Sequence, residues 1–185
     1  QVFSDTINTG IYVLEPEVLR HVPDDTPYDF SKELFPLLLE MGKPLYGYVA
    51  EGYWQDIGNL DQYRQANFDA LDESVRLNIP GIRLRGNVWV GEGVSLDDLE
   101  TIEGPAFVGN YSRIAPNASV GPYSVLMNSV TVGDHARTSR SVIDASTSIG
   151  RSVLVEGSII GKACDIRPHA RLHEGVAVGD DCTIG

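Results

Sequence analysis

Asp56, inside the short run Trp54-Gln55-Asp56-Ile57-Gly58, is the side chain best placed by type and setting to do chemistry. A carboxylate in a tight turn has two common uses. It can give hard oxygens to a divalent cation that keeps phosphate oxygens as its other ligands, or it can cap a following helix. The apolar pattern places a helix from Leu60 to Leu71, so on residue type alone both uses stay open. Asn8-Thr9-Gly10 is a second candidate. Its amide both donates and accepts hydrogen bonds, and its glycine lets a ligand approach the backbone. An isolated Asn-x-Gly, however, also marks an ordinary turn or bulge. Trp54 can wall a pocket, but packing between domains is the simpler reading. Lys32 and Lys43 can reach phosphates, yet they read more simply as solvated helix lysines.

Two further sets invite chemistry. His135, His169 and His173 fall at non-anchor positions of a repeat described below, and outward histidines can serve as general bases toward an acceptor hydroxyl. They read as solvated surface residues. Cys164 and Cys182 are eighteen positions apart. They read as two stacked, buried thiols behaving as small hydrophobes rather than as a disulfide.

These residues sit on two kinds of scaffold. From Leu84 onward an aliphatic anchor recurs every six residues: Leu84, Val90, Leu96, Ile102, Val108, Ile114, Val120, Leu126 and Val132, with Thr138 in the next seat. After a five-residue step the series continues as Ile143, Ile149 and Val155, and after another as Ile160, Ile166, Leu172, Val178 and Ile184. A period of six fits neither one helix nor one plain strand. It fits a coil of three short strands joined by corners, stacked on its neighbours as a parallel β-helix. The seat four after each anchor is small or β-branched except at Glu100, where Leu99 is expected to turn inward. Glycine often follows the anchor, as at Gly109, Gly133 and Gly150. It is expected to relieve crowding at a bend or to take a positive φ. The two five-residue steps read as shortened corners.

Residues 1–79 follow different rules and read as mixed α and β. Strands are expected over 7–14 and 44–53, a short helix from Pro16 to Arg20, and a helix capped by Ser31 that ends at Gly42. So few elements do not make a covered sheet, and the last hexad stops at Gly185 without a polar cap. The chain therefore reads as a fragment cut at both ends. The fold class expected is part of an α/β domain over 1–79, followed by an all-β parallel β-helix over 80–185 that is itself truncated.

Charge narrows the partners. The formal net charge is −12, and the first 79 residues hold 14 acidic against 5 basic side chains. Such a surface repels a phosphate backbone, so no nucleic-acid partner is expected. No apolar run reaches the roughly 20 residues of a membrane span, and a cytoplasmic protein is expected. The flat faces and open ends of a β-helix suggest homo-oligomers.

A family resemblance gathers these pieces. Asn8-Thr9-Gly10-Ile11-Tyr12, Glu15-Pro16, Phe35-Pro36, Gly47-Tyr48, Gly52-Tyr53-Trp54, Asp56-Ile57-Gly58 and Tyr63 resemble the sugar-1-phosphate nucleotidyltransferases, most closely the mannose-1-phosphate guanylyltransferases. The resemblance spans the end of the nucleotidyltransferase domain and most of the hexapeptide domain, and it implies a left-handed winding. It also implies substrates, a nucleoside triphosphate (GTP) and a sugar 1-phosphate (mannose 1-phosphate), and Mg²⁺ as cofactor. Asp56 would hold the metal and be the catalytic residue. Asn8, Thr9 and Gly10 would border the sugar, with Trp54 beside them. The family's Gly-rich nucleotide loop, first metal-binding aspartate and Glu-Lys-Pro sugar site do not occur here, so the chain alone is expected to be inactive. Two other classes remain: a non-catalytic regulatory or scaffolding relative that assembles through its β-helix, and a hexapeptide acyltransferase.

Overall fold

The computed structural model describes residues 6–96 and 98–185. They fall into two compact units, residues 1–52 and 53–185.

In the larger unit, the six-residue period becomes a three-sided β-helix of about five turns. One face carries Val88–Val90, Ala106–Val108, Ser124–Leu126, Val142–Ile143, Ile159–Ile160 and Ala177–Val178 in parallel register. The second carries Arg113–Ile114, Thr131–Val132, Ser148–Ile149, Asp165–Ile166 and Thr183–Ile184. The third carries Ser119–Val120, Arg137–Ser139, Leu154–Glu156 and Arg171–Leu172. The anchors line one hollow: Val108, Val120, Leu126, Val132, Ile143, Val155, Ile160 and Ile166 have no solvent-accessible surface. Thr138, the polar member of the series, is buried and shares a 3.1 Å hydrogen bond with Ser124.

The shortened corners lie between the third face and the first, and serine side chains stitch them. Ser141 Oγ donates to Ser139 O at 2.7 Å and accepts from Ser158 N at 3.0 Å. Ser158 Oγ in turn donates to His173 O at 2.9 Å. Each serine thus satisfies backbone groups at the corner, as Ser112 and Thr147 do at full-length corners.

Several details differ from the sequence reading. Leu84 is not an anchor of a parallel coil. Ile82–Leu84 pairs antiparallel with Val88–Val90 through the turn at Gly86 and Asn87, both at positive φ, and this hairpin closes the first coil. Leu99 is exposed rather than inward. Asp98 accepts Glu100 N at 2.9 Å and opens a short 3-10 turn, Leu99–Thr101, which rotates Leu99 outward. The glycines after the anchors do not take positive φ. Left-handed seats fall three residues after the anchor instead, at Tyr111, Asn117, Tyr123, His135, Ser152 and His169 among others. The post-anchor glycines are small because the next coil lies directly on them. A Cβ on Gly109 would sit 2.6 Å from Met127 C, and one on Gly150 would sit 2.7 Å from Pro168 N.

The outer side of the first face is also apolar, and a helix covers it. Trp89, Phe107, Val125, Val142 and Ile159 stack in register there. Leu71, from helix Leu60–Leu71, packs into this column with Tyr63 beside it. Arg64 clamps the same helix by donating to Gly157 O and pairing with Glu174 at 3.4 Å. Phe68 lies 4.9 Å from the Tyr123 ring, with the Arg140 guanidinium 5.9 Å above its own ring.

The smaller unit holds a 3-10 helix, Pro16–His21, and a π-turn, Phe30–Leu34, that runs into helix Phe35–Glu40. Its cap is Asp29, which accepts from Ser31 N at 2.8 Å and Lys32 N at 3.1 Å, rather than Ser31. These two bonds to the charged form, with Lys32 nearby, hold the Asp29 carboxyl below its ordinary value. The strands expected over 7–14 and 44–53 are absent among the described residues, since neither segment has a ladder partner there. Their apolar side chains stay in solvent: Val13 is 100% exposed and Tyr46 92%. No helix among the described residues is long and apolar enough to cross a membrane.

Candidate functional site

The site residues form two groups, one in each compact unit.

In the smaller unit, Asn8 holds its own turn. Its Oδ1 accepts Gly10 N at 3.0 Å, and its Nδ2 donates to Tyr12 Oη at 2.7 Å and to Ser31 Oγ at 3.2 Å. Tyr12 is fixed in turn by an edge-on contact with Phe35, ring centres 4.8 Å apart. The Asn8 amide is therefore occupied as a brace, with one acceptor lone pair left over. The open features of this turn are the exposed Thr9 and the space above Gly10. Gly10 has φ of +75° and nothing within 4 Å of where a Cβ would stand.

In the larger unit, the segment carrying Trp54 and Asp56 is tied to helix Leu60–Leu71 at both ends. Tyr53 Oη donates to Asp69 Oδ2 at 2.7 Å, and Gln65 braces the other Asp69 oxygen at 2.8 Å. The bond to Asp69 raises the Tyr53 phenol above its ordinary value. At the far end, Gly58 N donates to Gln62 Oε1 at 2.9 Å. The helix cap is Asn59, whose Oδ1 accepts Gln62 N at 2.9 Å. This settles one choice left open by residue type, because Asp56 does not cap the helix. Its main-chain oxygen accepts a long 3.5 Å bond from Gln55, but its exposed carboxylate has no partner among the described residues. Trp54 beside it is 43% exposed.

Two solvent-facing oxygens on a loop pinned at both ends suit a hard divalent cation that draws its other ligands from phosphates and water. Among the described residues no three acidic, His or Cys side chains cluster as a self-sufficient metal cage.

Sequence reasoning missed the braces. Asn59 with Gln62 is a cap signature legible in the sequence. Tyr53 with Asp69, sixteen residues apart, has no local signal. The histidines fall outside both groups: His135 and His169 occupy left-handed corner seats, His135 lying 3.6 Å from Asp134, and His173 is exposed. The cysteines are free, Cys164 buried with its thiol 3.0 Å from Gly179 O.

Two family models match the chain along its length. Residues 1–73 match Nucleotidyl transferase, and residues 102–185 match the GMPPB C-terminal domain. Neither model spans half of the chain, so the two matches say what its two parts are similar to. It is 33% identical, over 98% of its length, to a UTP–glucose-1-phosphate uridylyltransferase of Synechocystis sp., of which it covers 43%. It is 29% identical over 85% of its length to a glucose-1-phosphate adenylyltransferase of Desulforamulus reducens, covering 41% of that protein. A glucose-1-phosphate adenylyltransferase of Bacillus cereus is 26% identical over 96% of the chain, with half of that protein covered. The chain thus spans half or less of the length of these curated relatives.

Proposed function

We propose that the protein to which this chain belongs transfers a nucleotidyl group from a nucleoside triphosphate to a sugar 1-phosphate, releasing pyrophosphate. The observation that carries this reading is the match of residues 1–73 to Nucleotidyl transferase, with Asp56 inside that stretch left uncommitted on a braced loop. In this reaction a phosphate oxygen of the sugar 1-phosphate attacks the α-phosphorus in line, and the bond to the pyrophosphate oxygen breaks. Such a reaction needs positioning and charge stabilisation more than covalent help. Asp56 would hold Mg²⁺, which supplies charge neutralisation at the phosphates when bound. The Asn8–Gly10 turn would face the sugar, with Thr9 offering a hydroxyl and Gly10 leaving room. Trp54 would shield one side.

The finer assignment we favour is GTP with mannose 1-phosphate, supported by the motif resemblance from Asn8 to Tyr63. The names of the relatives instead favour glucose 1-phosphate with UTP or ATP, so this is the second reading. A full-length assay crossing four nucleoside triphosphates with mannose and glucose 1-phosphates decides between them. Preference for GTP and mannose 1-phosphate supports the first reading; preference for a glucose pair overturns it. No pyrophosphate release from any pair sinks the transferase reading. Assembly through the β-helix belongs to the same proposal, and sedimentation of the full-length protein tests it.

A further inference from the structure

Helix Leu60–Leu71 carries two loads on two stripes. Arg64, Phe68 and Leu71 meet the β-helix. Gln62, Gln65 and Asp69, spaced three and four apart, share a different stripe and hold the loop that bears Asp56. Asp69 is the acceptor at one end of that loop. Its Oδ2 takes the Tyr53 phenol at 2.7 Å, while Gln65 at 2.8 Å fixes Oδ1 and so orients the carboxylate. At the other end Gly58 N is held by Gln62 at 2.9 Å. Between these ties, Trp54 to Ile57 make no backbone–backbone hydrogen bond among the described residues. Burial does not hold them either, since Trp54 is 43% and Ile57 54% exposed. Two side-chain ties therefore set the path of the loop. The Asp56 carboxylate follows that path closely, with Oδ2 3.7 Å from where a Cβ on Gly58 would stand.

We infer that Asp69 is a positioning residue for Asp56, acting through Tyr53 rather than by touching metal or phosphate. The inference rests on Asp56 as the Mg²⁺ ligand proposed above. A ligand on an exposed loop binds a cation tightly only if the loop keeps it in place, because a wandering carboxylate must be ordered when the cation arrives. A phenol donating to a carboxylate makes a strong, charge-assisted bond. This one lies at the surface, between residues sixteen apart in sequence, and away from the packed contacts of Phe68 and Leu71. Its loss frees the loop and leaves the helix docked.

The test uses the full-length protein and two brace variants, Tyr53→Phe and Asp69→Ala. Asp69→Asn is the conservative partner, because its amide oxygen still accepts the phenol. Hydrogen exchange across residues 54–58 should speed up at least about fivefold in both brace variants, with exchange in helix Leu60–Leu71 and the melting curve unchanged. The Mg²⁺ concentration for half-maximal turnover should rise about tenfold, the low end for groups that orient metal ligands. The two changes should not add, since they cut one bond, and Asp69→Asn should return both readouts to within about twofold of wild type. A lowered melting temperature with wild-type Mg²⁺ dependence would mean a purely structural bond and overturns the inference. Unchanged exchange overturns it too, as does faster exchange without a higher Mg²⁺ requirement. Wild-type protein that turns over no substrate pair sinks the transferase reading instead, and loop exchange then still decides whether Asp69 holds Asp56 in place.

Discussion

The Tyr123 phenol bridges both carboxylate oxygens of Asp72, at 3.1 Å each, and so joins the end of helix Leu60–Leu71 to a corner of the β-helix. Asp72 is the C-cap residue of that helix, and Tyr123 occupies a left-handed seat three residues after anchor Val120. The loop bearing Asp56 is braced on the same helix through Tyr53 and Gln62. A mechanical line therefore runs from the β-helix through the helix to the carboxylate proposed to hold metal.

That bond raises the Tyr123 phenol above its ordinary value of 10.0. A raised folded-state value means the protonated phenol is favoured in the fold. Its stabilisation is complete below about pH 10 and is lost as pH climbs through the folded value. Ultraviolet titration of the folded chain should show two late-ionising phenols, Tyr123 and Tyr53, and Tyr123→Phe should remove one. An unchanged late fraction in that variant would mean the Asp72 bond is absent in solution.

Phe68 and Leu71 anchor the helix, being 5% and 2% exposed. Leu71→Ala should cost about 2–5 kcal/mol by lost burial and a residual cavity. If the helix instead peels away as a unit, urea melts followed by Trp89 fluorescence will show a separate early transition. A single transition at the wild-type midpoint contradicts the packing.

Asp56 and Asn59 lie three residues apart but should fail differently. Asn59→Ala removes the cap and should lower stability by about 1 kcal/mol. Asp56→Asn breaks no bond seen among the described residues, so the melting curve should not move. In the full-length protein the same change should cut Mg²⁺-dependent turnover at least a hundredfold. Retained turnover would remove Asp56 from the metal role.

The β-helix was legible because its period is enforced at every coil. Each of Val108, Ile114 and Val120 repeats one packing problem, so a single misfit would have stood out. The outer column of Trp89, Phe107, Val125, Val142 and Ile159 went unread, because it acquires meaning only once helix Leu60–Leu71 is found lying on it. The expected strands over 7–14 and 44–53 show the limit. Alternation marks which residues would face a sheet, but a strand exists only where another strand accepts its hydrogen bonds. Asp56 shows another: whether a turn aspartate caps or stays free depended on Asn59 reaching the helix amide first.

The free thiols offer an independent check of register. Cys164 is buried against Gly179 O, while Cys182 is only partly buried. A thiol reagent in native buffer should label Cys182 quickly and Cys164 only at the rate of unfolding. Equal labelling would place Cys164 outside the hollow.

Two glycines in the same repeat position give the sharpest test of coil stacking. Gly150 and Gly179 each follow an anchor, and neither has positive φ. With ordinary backbone angles, replacing glycine by alanine normally stabilises by about 0.4–1 kcal/mol, since the unfolded chain loses freedom. At Gly179 nothing lies within 4 Å of the new Cβ, so that gain should appear in the 185-residue chain. At Gly150 the Cβ would meet Pro168 N at 2.7 Å and Ile166 O at 2.8 Å. These are backbone atoms of the next coil and cannot swing away as a side chain would. The coils must then part, reversing the sign to a loss of about 1–3 kcal/mol. Gly179→Ala raising the melting temperature while Gly150→Ala lowers it is the expected pair. Equal effects at the two positions would show that backbone conformation, rather than the pressure of the next coil, selects glycine after the anchor.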